Sequence, residues 1–303
     1  MSDFSTFQRN NPDFPGEICI RYGEPMSKHT SFRIGGNVEA MAFPKNREEL
    51  SLLLNWSGLL DRKPVILGAG TNVLAPDEGM EGLIICLKDC LDGMERLDDR
   101  RIRVMAGVTL SRAAMFAASQ GLSGLEFAHG IPGTLGGGVY MNAGAYGGDL
   151  ESVCREVELM DFRGNLYTRT GEEMDFSYRH SCLESEPAIV VSAVLELEPG
   201  KEEDIRGRMK ALQTKRLASQ PLNLPSAGSA FKRPAGGYAA ALIEQAGLKG
   251  FRVGDAAISE KHAGFAVNLG GATAADVKKL LEEVSRRVEA HSGIRLEPEI
   301  RIW

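Results

Sequence analysis

The sequence predicts an α+β fold in two domains, divided near Pro199-Gly200. Three observations lead there. Helical stretches with recognisable caps occur in both halves of the chain. Residues 153 to 197 change to the two-residue alternation of strands. Between the first helices and those strands lies an almost uncharged stretch, Gly130 to Gly148, with eight glycines in nineteen residues. At 303 residues the chain is long enough to bury two cores.

Residues 1 to about 16 mix Asn, Pro, Ser and Gly and read as a loose arm, assigned to residues 1–27 as a whole. Asn46 is placed as an N-cap, with Glu49 completing a capping box. Leu50, Leu53 and Leu54 give that helix its apolar face, and Gly58 follows it. Val65-Ile66-Leu67 is a short buried strand running into Gly68-Ala69-Gly70-Thr71-Asn72. Ile84, Cys86 and Leu87 predict a strand, as do Ile102 and Val104. Thr109 caps a second helix bearing Ala113, Ala114 and Ala117, which Gly121 stops. Val153, Val157 and Leu159 then alternate with charged residues, Arg163-Gly164-Asn165 is a turn, and Ile189 to Leu197 is another strand. Beyond the boundary, Ile205, Met209 and Leu212 repeat at helical spacing. Tyr238 to Ala246 is a short helix closed by Gly247, and Phe265 to Asn268 is a strand. Thr273 with Asp276 opens the last helix, whose stripe is Val277, Leu280, Leu281, Val284 and Val288, and Gly293 closes it.

The glycine-rich stretches carry the chemistry. Glycine lets the main chain approach a ligand closely and adopt positive φ. Successive N–H groups in such turns form concave nests that favour anions. Surface loops ordinarily carry more Ser, Asp and Lys than Gly130-Ile131-Pro132-Gly133-Thr134-Leu135-Gly136-Gly137-Gly138 does. A loop holding a phosphate-bearing cofactor fits better. The Gly68–Asn72 turn is not a Rossmann turn, because Val73 replaces the third glycine and Pro76, Asp77 and Gly79 break the stretch where a crossover helix would run.

In chain order, Ser31-Phe32-Arg33-Ile34-Gly35-Gly36, then Gly68-Ala69-Gly70-Thr71-Asn72-Val73-Leu74, then Gly130-Ile131-Pro132-Gly133 with Asn142-Ala143-Gly144-Ala145-Tyr146-Gly147, resemble the FAD-binding half of the UDP-N-acetylenolpyruvoylglucosamine reductases, the MurB family. Similar matches follow at Ser177-Tyr178-Arg179, at Pro225-Ser226-Ala227-Gly228-Ser229-Ala230-Phe231-Lys232 and at Leu296-Glu297-Pro298-Glu299. The resemblance covers roughly residues 28 to 301, and Lys261-His262-Ala263-Gly264-Phe265 resembles the shorter, type II subtype.

That resemblance implies an FAD-binding domain of the vanillyl-alcohol-oxidase (PCMH) type over residues 28–197. An α/β substrate-binding domain over 198–303 follows it, with a last segment returning to the flavin. It implies NADPH-dependent, FAD-mediated reduction of UDP-N-acetylglucosamine enolpyruvate to UDP-N-acetylmuramate, a step in peptidoglycan precursor synthesis. The FAD is non-covalent, although His129 precedes the Gly130 loop, and NADPH is a co-substrate. The implied FAD contacts are Arg33, Gly68, Ala69, Gly70, Thr71, Asn72, Val73, Gly130, Ile131, Pro132, Gly133, Gly136, Gly137, Asn142, Ala143 and Gly144.

From the residues alone, Arg179 is a surface arginine or a bidentate carboxylate partner, and Ser229 is a turn hydroxyl or a proton donor. The resemblance implies the second role for each, with Glu299, the glutamate after the proline, as the third catalytic residue. Arg179 and Glu299 would hold a developing enolate, and Ser229 would protonate it. Lys215, Arg216, Lys232 and Arg233 form either a helix-end charge cluster or a clamp for the diphosphate of a nucleotide sugar; many relatives have Asn where Arg233 stands. Tyr178 is a further substrate contact. His262 is a substrate contact or a structural histidine. Two other readings stay open: an oxidase of the same fold, and a nucleotide-sugar binding protein without catalysis.

Composition narrows the partners. The formal net charge of −6 argues against a nucleic-acid backbone. Five cysteines at wide spacing, with no Cys-x-x-Cys, read as free thiols and not as disulfides or a zinc site, and no residue cluster has metal-ligand spacing. No run approaches a membrane span and residues 1–11 carry no apolar signal core, so the expected setting is cytoplasmic and the expected form a monomer.

Overall fold

The computed structural model describes residues 18–59, 63–88, 90–235 and 237–303. The arm expected over residues 1 to about 16 lies outside them. Of the remainder of that 1–27 segment, Cys19–Pro25 is a strand. The chain divides into two compact units. Of the described residues, the first takes those within 18–22, 39–69 and 82–215, and the second those within 23–38, 70–81 and 216–303. Gly23–Val38 and Gly70–Glu81 thus belong to the same unit as the C-terminal residues, whereas a single division near residue 198 groups them with the N-terminal half.

The first unit is built on a five-stranded antiparallel sheet in the order Leu166–Thr170, Cys154–Met160, Ile189–Glu196, Arg101–Met105, Met94–Arg96. Ile189–Glu196 is its middle strand. Seven of its eight residues are buried, which is why it reads as a continuous apolar run and not as an alternation. A second sheet, built chiefly from this unit, has the order Cys19–Pro25, Asn37–Phe43, Met80–Cys86, Val65–Leu67. Its last pair is parallel. The helix Arg47–Leu59 buries Leu50, Leu53 and Leu54, as its spacing predicts, but it runs through Gly58. Asn46 Oδ1 accepts the Glu49 amide at 2.9 Å. The Glu49 carboxylate reaches back to the Lys45 amide, 2.8 Å away, so the expected capping box is displaced by one residue. Arg47 is clamped by Glu158 through Nη1–Oε1 at 3.2 Å and Nη2–Oε2 at 2.6 Å, and Ser192 Oγ donates to the same carboxylate at 2.9 Å.

The second unit has a four-stranded antiparallel sheet in the order Ser226–Ser229, Phe265–Asn268, Ala256–Ile258, Arg252–Val253. The helix Ala274–Ser292 lays Val277, Leu280, Leu281, Val284 and Val288 into its core, all buried. Burial of such side chains contributes about 2 kcal/mol each. Thr273 and Asp276 form the expected capping box, and Gly293 ends the helix at φ 73°. Phe32, Ile34 and Leu74, from the two early segments, share this core. The strand Arg301–Ile302 pairs in parallel with Val73–Leu74.

None of the five cysteines is in a disulfide; Cys19 is exposed and the others are buried. Burial pushes the Cys90 and Cys154 thiols up to about 12, so both stay protonated and unreactive.

Candidate active site

In the first unit, two glycine turns lie side by side. A Cβ added to Gly68 would come within 2.9 Å of Thr134 Oγ1, and one added to Gly137 would lie 3.8 Å from the same oxygen. The stretch expected as one loop over Gly130–Gly138 is a turn over 130–134 that runs into a short helix, Leu135–Tyr140, and it is anchored from behind. Gly133 O accepts the Leu110 amide at 3.0 Å, and the Gly136 amide donates to Ala106 O at 2.9 Å. Gly136 therefore serves close packing against Ala106, where a Cβ would meet the alanine Cβ at 3.1 Å; its N–H is already committed. Gly68, Gly130 and Gly133 are half-buried and Gly137 is exposed, while Pro132 is the exposed tip. A cradle without charged side chains, with its main chain accessible at glycines, suits a dinucleotide pyrophosphate. These residues fit FAD. His129 Nδ1 lies 3.3 Å from Ser111 Oγ, within hydrogen-bond reach.

Asn142 closes this region. It is buried, at φ 41°, and its amide bonds to Ser177 and Glu151. Arg179 follows two residues after Ser177, also in the left-handed region at φ 57°. Its guanidinium stacks over Tyr178 at 5.0 Å and Nη2 reaches Gly144 O at 3.3 Å. Non-glycine residues held at positive φ cost roughly 1 kcal/mol or more and gather where geometry matters for function. Arg33 shares this conformation, at φ 57°.

In the second unit, four stretches far apart in sequence converge. Ser31 N donates to Gly70 O at 3.0 Å, and Ser31 Oγ donates to Ser226 O at 2.6 Å. Asn72 Nδ2 donates to Glu299 O at 3.2 Å, and Asn72 O accepts the Arg301 amide at 2.9 Å. Glu299 N donates to Ala230 O at 2.9 Å, Phe231 bridges Pro298, and Lys232 N donates to Glu297 O at 2.9 Å. The 31–36, 70–73, 226–232 and 297–301 motifs thus form one site, with Ser229 and Glu299 on adjoining backbone. Gly228 lies at φ 77°, and the strand carries a bulge between Ser226 and Ser229. Such a bulge re-aims the side chains at its end.

The basic residues are spread out. Lys232 Nζ pairs with Glu297 at 2.5 Å. Arg233 lies 4.5 Å over the exposed Tyr238 ring. Lys215 is exposed, near the end of the helix Glu202–Ser219. His262 Nδ1 accepts the Gly264 amide at 3.1 Å, and its ring meets Phe265 edge-on at 5.1 Å. Burial lowers its pKa from 6.5. Those are the contacts of a histidine that holds a turn. Among the described residues no His, Cys, Asp and Glu cluster could hold a metal ion, and no helix is long and apolar enough to cross a membrane.

Sequence reasoning missed Asp77 and Ser181. Asp77 was read only as a helix breaker, yet its carboxylate accepts the Ala274 amide at 2.7 Å and the Ala275 amide at 3.0 Å. No local signal links residues nearly two hundred apart.

Comparison with known proteins bears on the same residues. Residues 38–169 match the model of an FAD binding domain. Residues 220–303 match the C-terminal domain of UDP-N-acetylenolpyruvoylglucosamine reductase. The reductase of Syntrophomonas wolfei is 44% identical over 96% of this chain and 97% of its own length. That of Heliobacterium modesticaldum is 46% identical over 96% and 92%. This chain belongs to the UDP-N-acetylenolpyruvoylglucosamine reductase family. The crystal structure of the Thermus caldophilus reductase superposes with a TM-score of 0.76 at 35% identity, covering 95% of this chain and 99% of that one. The fold is therefore the family's α+β arrangement, with an FAD-binding domain of the PCMH type, and FAD is its cofactor.

Proposed function

We propose that this chain catalyses the NADPH-dependent reduction of UDP-N-acetylglucosamine enolpyruvate to UDP-N-acetylmuramate. The observation that supports it most is the pairing of Ser229 and Glu299 through the Glu299 amide and the Ala230 carbonyl, 2.9 Å apart. It sets a hydroxyl and a carboxyl on adjoining backbone. A nucleotide-sugar binding protein has no need of that combination. When bound, FAD would supply the hydride-transfer chemistry that links NADPH to the enolpyruvyl double bond.

The residues do the rest. Gly68, Gly130, Gly133 and their neighbours would hold the dinucleotide through their main chain. Hydride addition to one carbon of an enol ether leaves its neighbour with enolate character. Arg179 binds the substrate carboxylate and neutralises that charge. Glu299, when protonated, donates a hydrogen bond to the same oxygen system. Ser229 delivers the proton to carbon, a task for which a hydroxyl is acidic enough although it would not protonate an ordinary oxygen. Tyr178, Lys215, Lys232, Arg233 and His262 are assigned to the nucleotide sugar, with His262 acting through the turn it holds. The proposed setting is the cytoplasm and the proposed form a monomer, which light scattering on a sizing column tests.

The decisive experiment uses the purified yellow protein. Wild type consumes NADPH in step with the enolpyruvyl nucleotide. Ser229→Ala still lets NADPH bleach the flavin, while reoxidation by the nucleotide collapses. If both half-reactions survive in Ser229→Ala, Ser229 is not the donor. If reduced wild type reacts with oxygen and ignores the nucleotide, the reaction itself is wrongly assigned.

A further inference from the structure

The turn bearing Arg179 is stitched to the segment 140–144 at three points, all within the first unit. Asn142 Nδ2 donates to Ser177 O at 3.0 Å, Arg179 Nη2 donates to Gly144 O at 3.3 Å, and Ser181 Oγ donates to Tyr140 O at 2.8 Å. Asn142 is 3% exposed and Ser181 0%. The Asn142 amide is fully occupied. Nδ2 also donates to Glu151 Oε2 at 3.2 Å, and Oδ1 accepts the Glu151 amide at 3.0 Å. A carboxamide has two N–H donors, and both are spent on protein oxygens. The side chain therefore has no N–H donor to offer a cofactor, so a contact of Asn142 with FAD would fall to its main chain. Its orientation is fixed by its partners, since an inverted amide would set oxygen against two oxygens and nitrogen against an N–H. Asn is also among the side chains that best tolerate φ 41°, the angle found here.

We propose that Asn142 and Ser181 are positioning residues. They seat the Arg179 turn on the segment that borders the FAD cradle, so that FAD binding and capture of the substrate carboxylate assist one another. This deepens the reading above and rests on Arg179 as the carboxylate's partner. The coupling is reciprocal: each ligand orders a backbone that the other uses. Ser181 is the cleaner probe, because its side chain is absent from every ligand-binding motif.

The test measures FAD affinity of wild type, Ser181→Ala and Asn142→Asp by flavin fluorescence, with and without the enolpyruvyl nucleotide and in the absence of NADPH. Asp keeps the size of Asn but turns a donor into an oxygen facing Ser177 O and the Glu151 carboxylate. In wild type the nucleotide tightens FAD binding by at least ~5-fold, the lower end of measured couplings. In Ser181→Ala the tightening shrinks towards unity and KM for the nucleotide rises several-fold, while the nucleotide-free holoenzyme melts only a few degrees lower, the cost of about one hydrogen bond, and its rate of bleaching by NADPH is retained. Should Asn142→Asp fail to fold, Ser181→Ala alone decides. Undiminished tightening in Ser181→Ala overturns the proposal. Arg179→Ala separates the two layers. If it leaves KM unchanged, the carboxylate assignment falls; if it raises KM while Ser181→Ala does not, only the positioning role falls.

Discussion

Asp77→Ala removes a cap that no neighbouring residue supplies. The first amides of the helix Ala274–Ser292 have no intrahelical acceptors. Thr273 Oγ1 takes the Asp276 amide, leaving those of Ala274 and Ala275, and Asp77 takes both, at 2.7 and 3.0 Å. Ala275 is exposed, so water replaces the lost carboxylate there. Ala274 is 1% exposed and its amide would be stranded. An unsatisfied buried amide costs about 1–3 kcal/mol, loss of a cap about 0.5–2, and loss of a charge at a helix N-terminus about 0.3–1. These overlap, so Asp77→Ala should destabilise by about 2 kcal/mol, and Asp77→Asn, which keeps an acceptor, by about 1. At about 2–4 °C per kcal/mol for a protein of more than 150 residues, the alanine variant should melt about 4–8 °C lower. Calorimetry on the FAD-loaded protein, with urea unfolding as a second measure, gives the number. If both variants stay within about 0.5 kcal/mol of wild type, the usual spread for surface changes, the capping argument is wrong.

Three further outcomes are expected. Glu299→Gln should slow reduction of the nucleotide by about 10²–10³-fold and remove one ionisation from its pH–rate profile; a profile that keeps every ionisation contradicts a protonated Glu299. Gly68→Ala forces a Cβ to within 2.9 Å of Thr134 Oγ1, and overpacking of about 1–3 kcal/mol should appear as roughly 5–150-fold weaker FAD binding by fluorescence titration. Burial, aided by Lys249 and opposed by Glu244, lowers the His262 pKa from 6.5, so the unfolded chain binds that proton more readily. Stability should be fully present above about pH 6.5 and fall as the pH drops from there through the lowered folded value. His262→Asn, whose oxygen can accept the Gly264 amide, should flatten the melting temperature across that window, and an unchanged slope would acquit His262.

Local chemistry made much of the fold legible. Thr109, Thr273 and Gly293 mark helix ends because caps act within one turn, and Leu50, Leu53 and Leu54 face the core because 3.6-residue spacing leaves little choice. Cys19–Pro25 escaped notice because Gly23 and Pro25 interrupt it and no burial alternation marks it. The grouping of Gly23–Val38 and Gly70–Glu81 with the C-terminal residues was hidden for another reason. It rests on a two-residue parallel pairing and on single bonds such as Asn72 to Glu299, which leave no periodic trace. Within the candidate site, the glycines and the order of motifs pointed to the cofactor. The part played by each side chain was not readable: Asn142 sits in a ligand-binding motif yet spends its side-chain polar atoms on protein partners, and His262 gives Nδ1 to the turn it holds.

The pairing of Val73–Leu74 with Arg301–Ile302 also dictates an order of events as the chain leaves the ribosome. Val73–Leu74 emerges early and finds no strand to pair with until more than two hundred later residues have been synthesised. Until then Leu74, buried in the finished protein, waits in water or in the grip of a chaperone. Translation speed over the last stretch of the message should therefore govern the yield of folded protein more than its speed over the first.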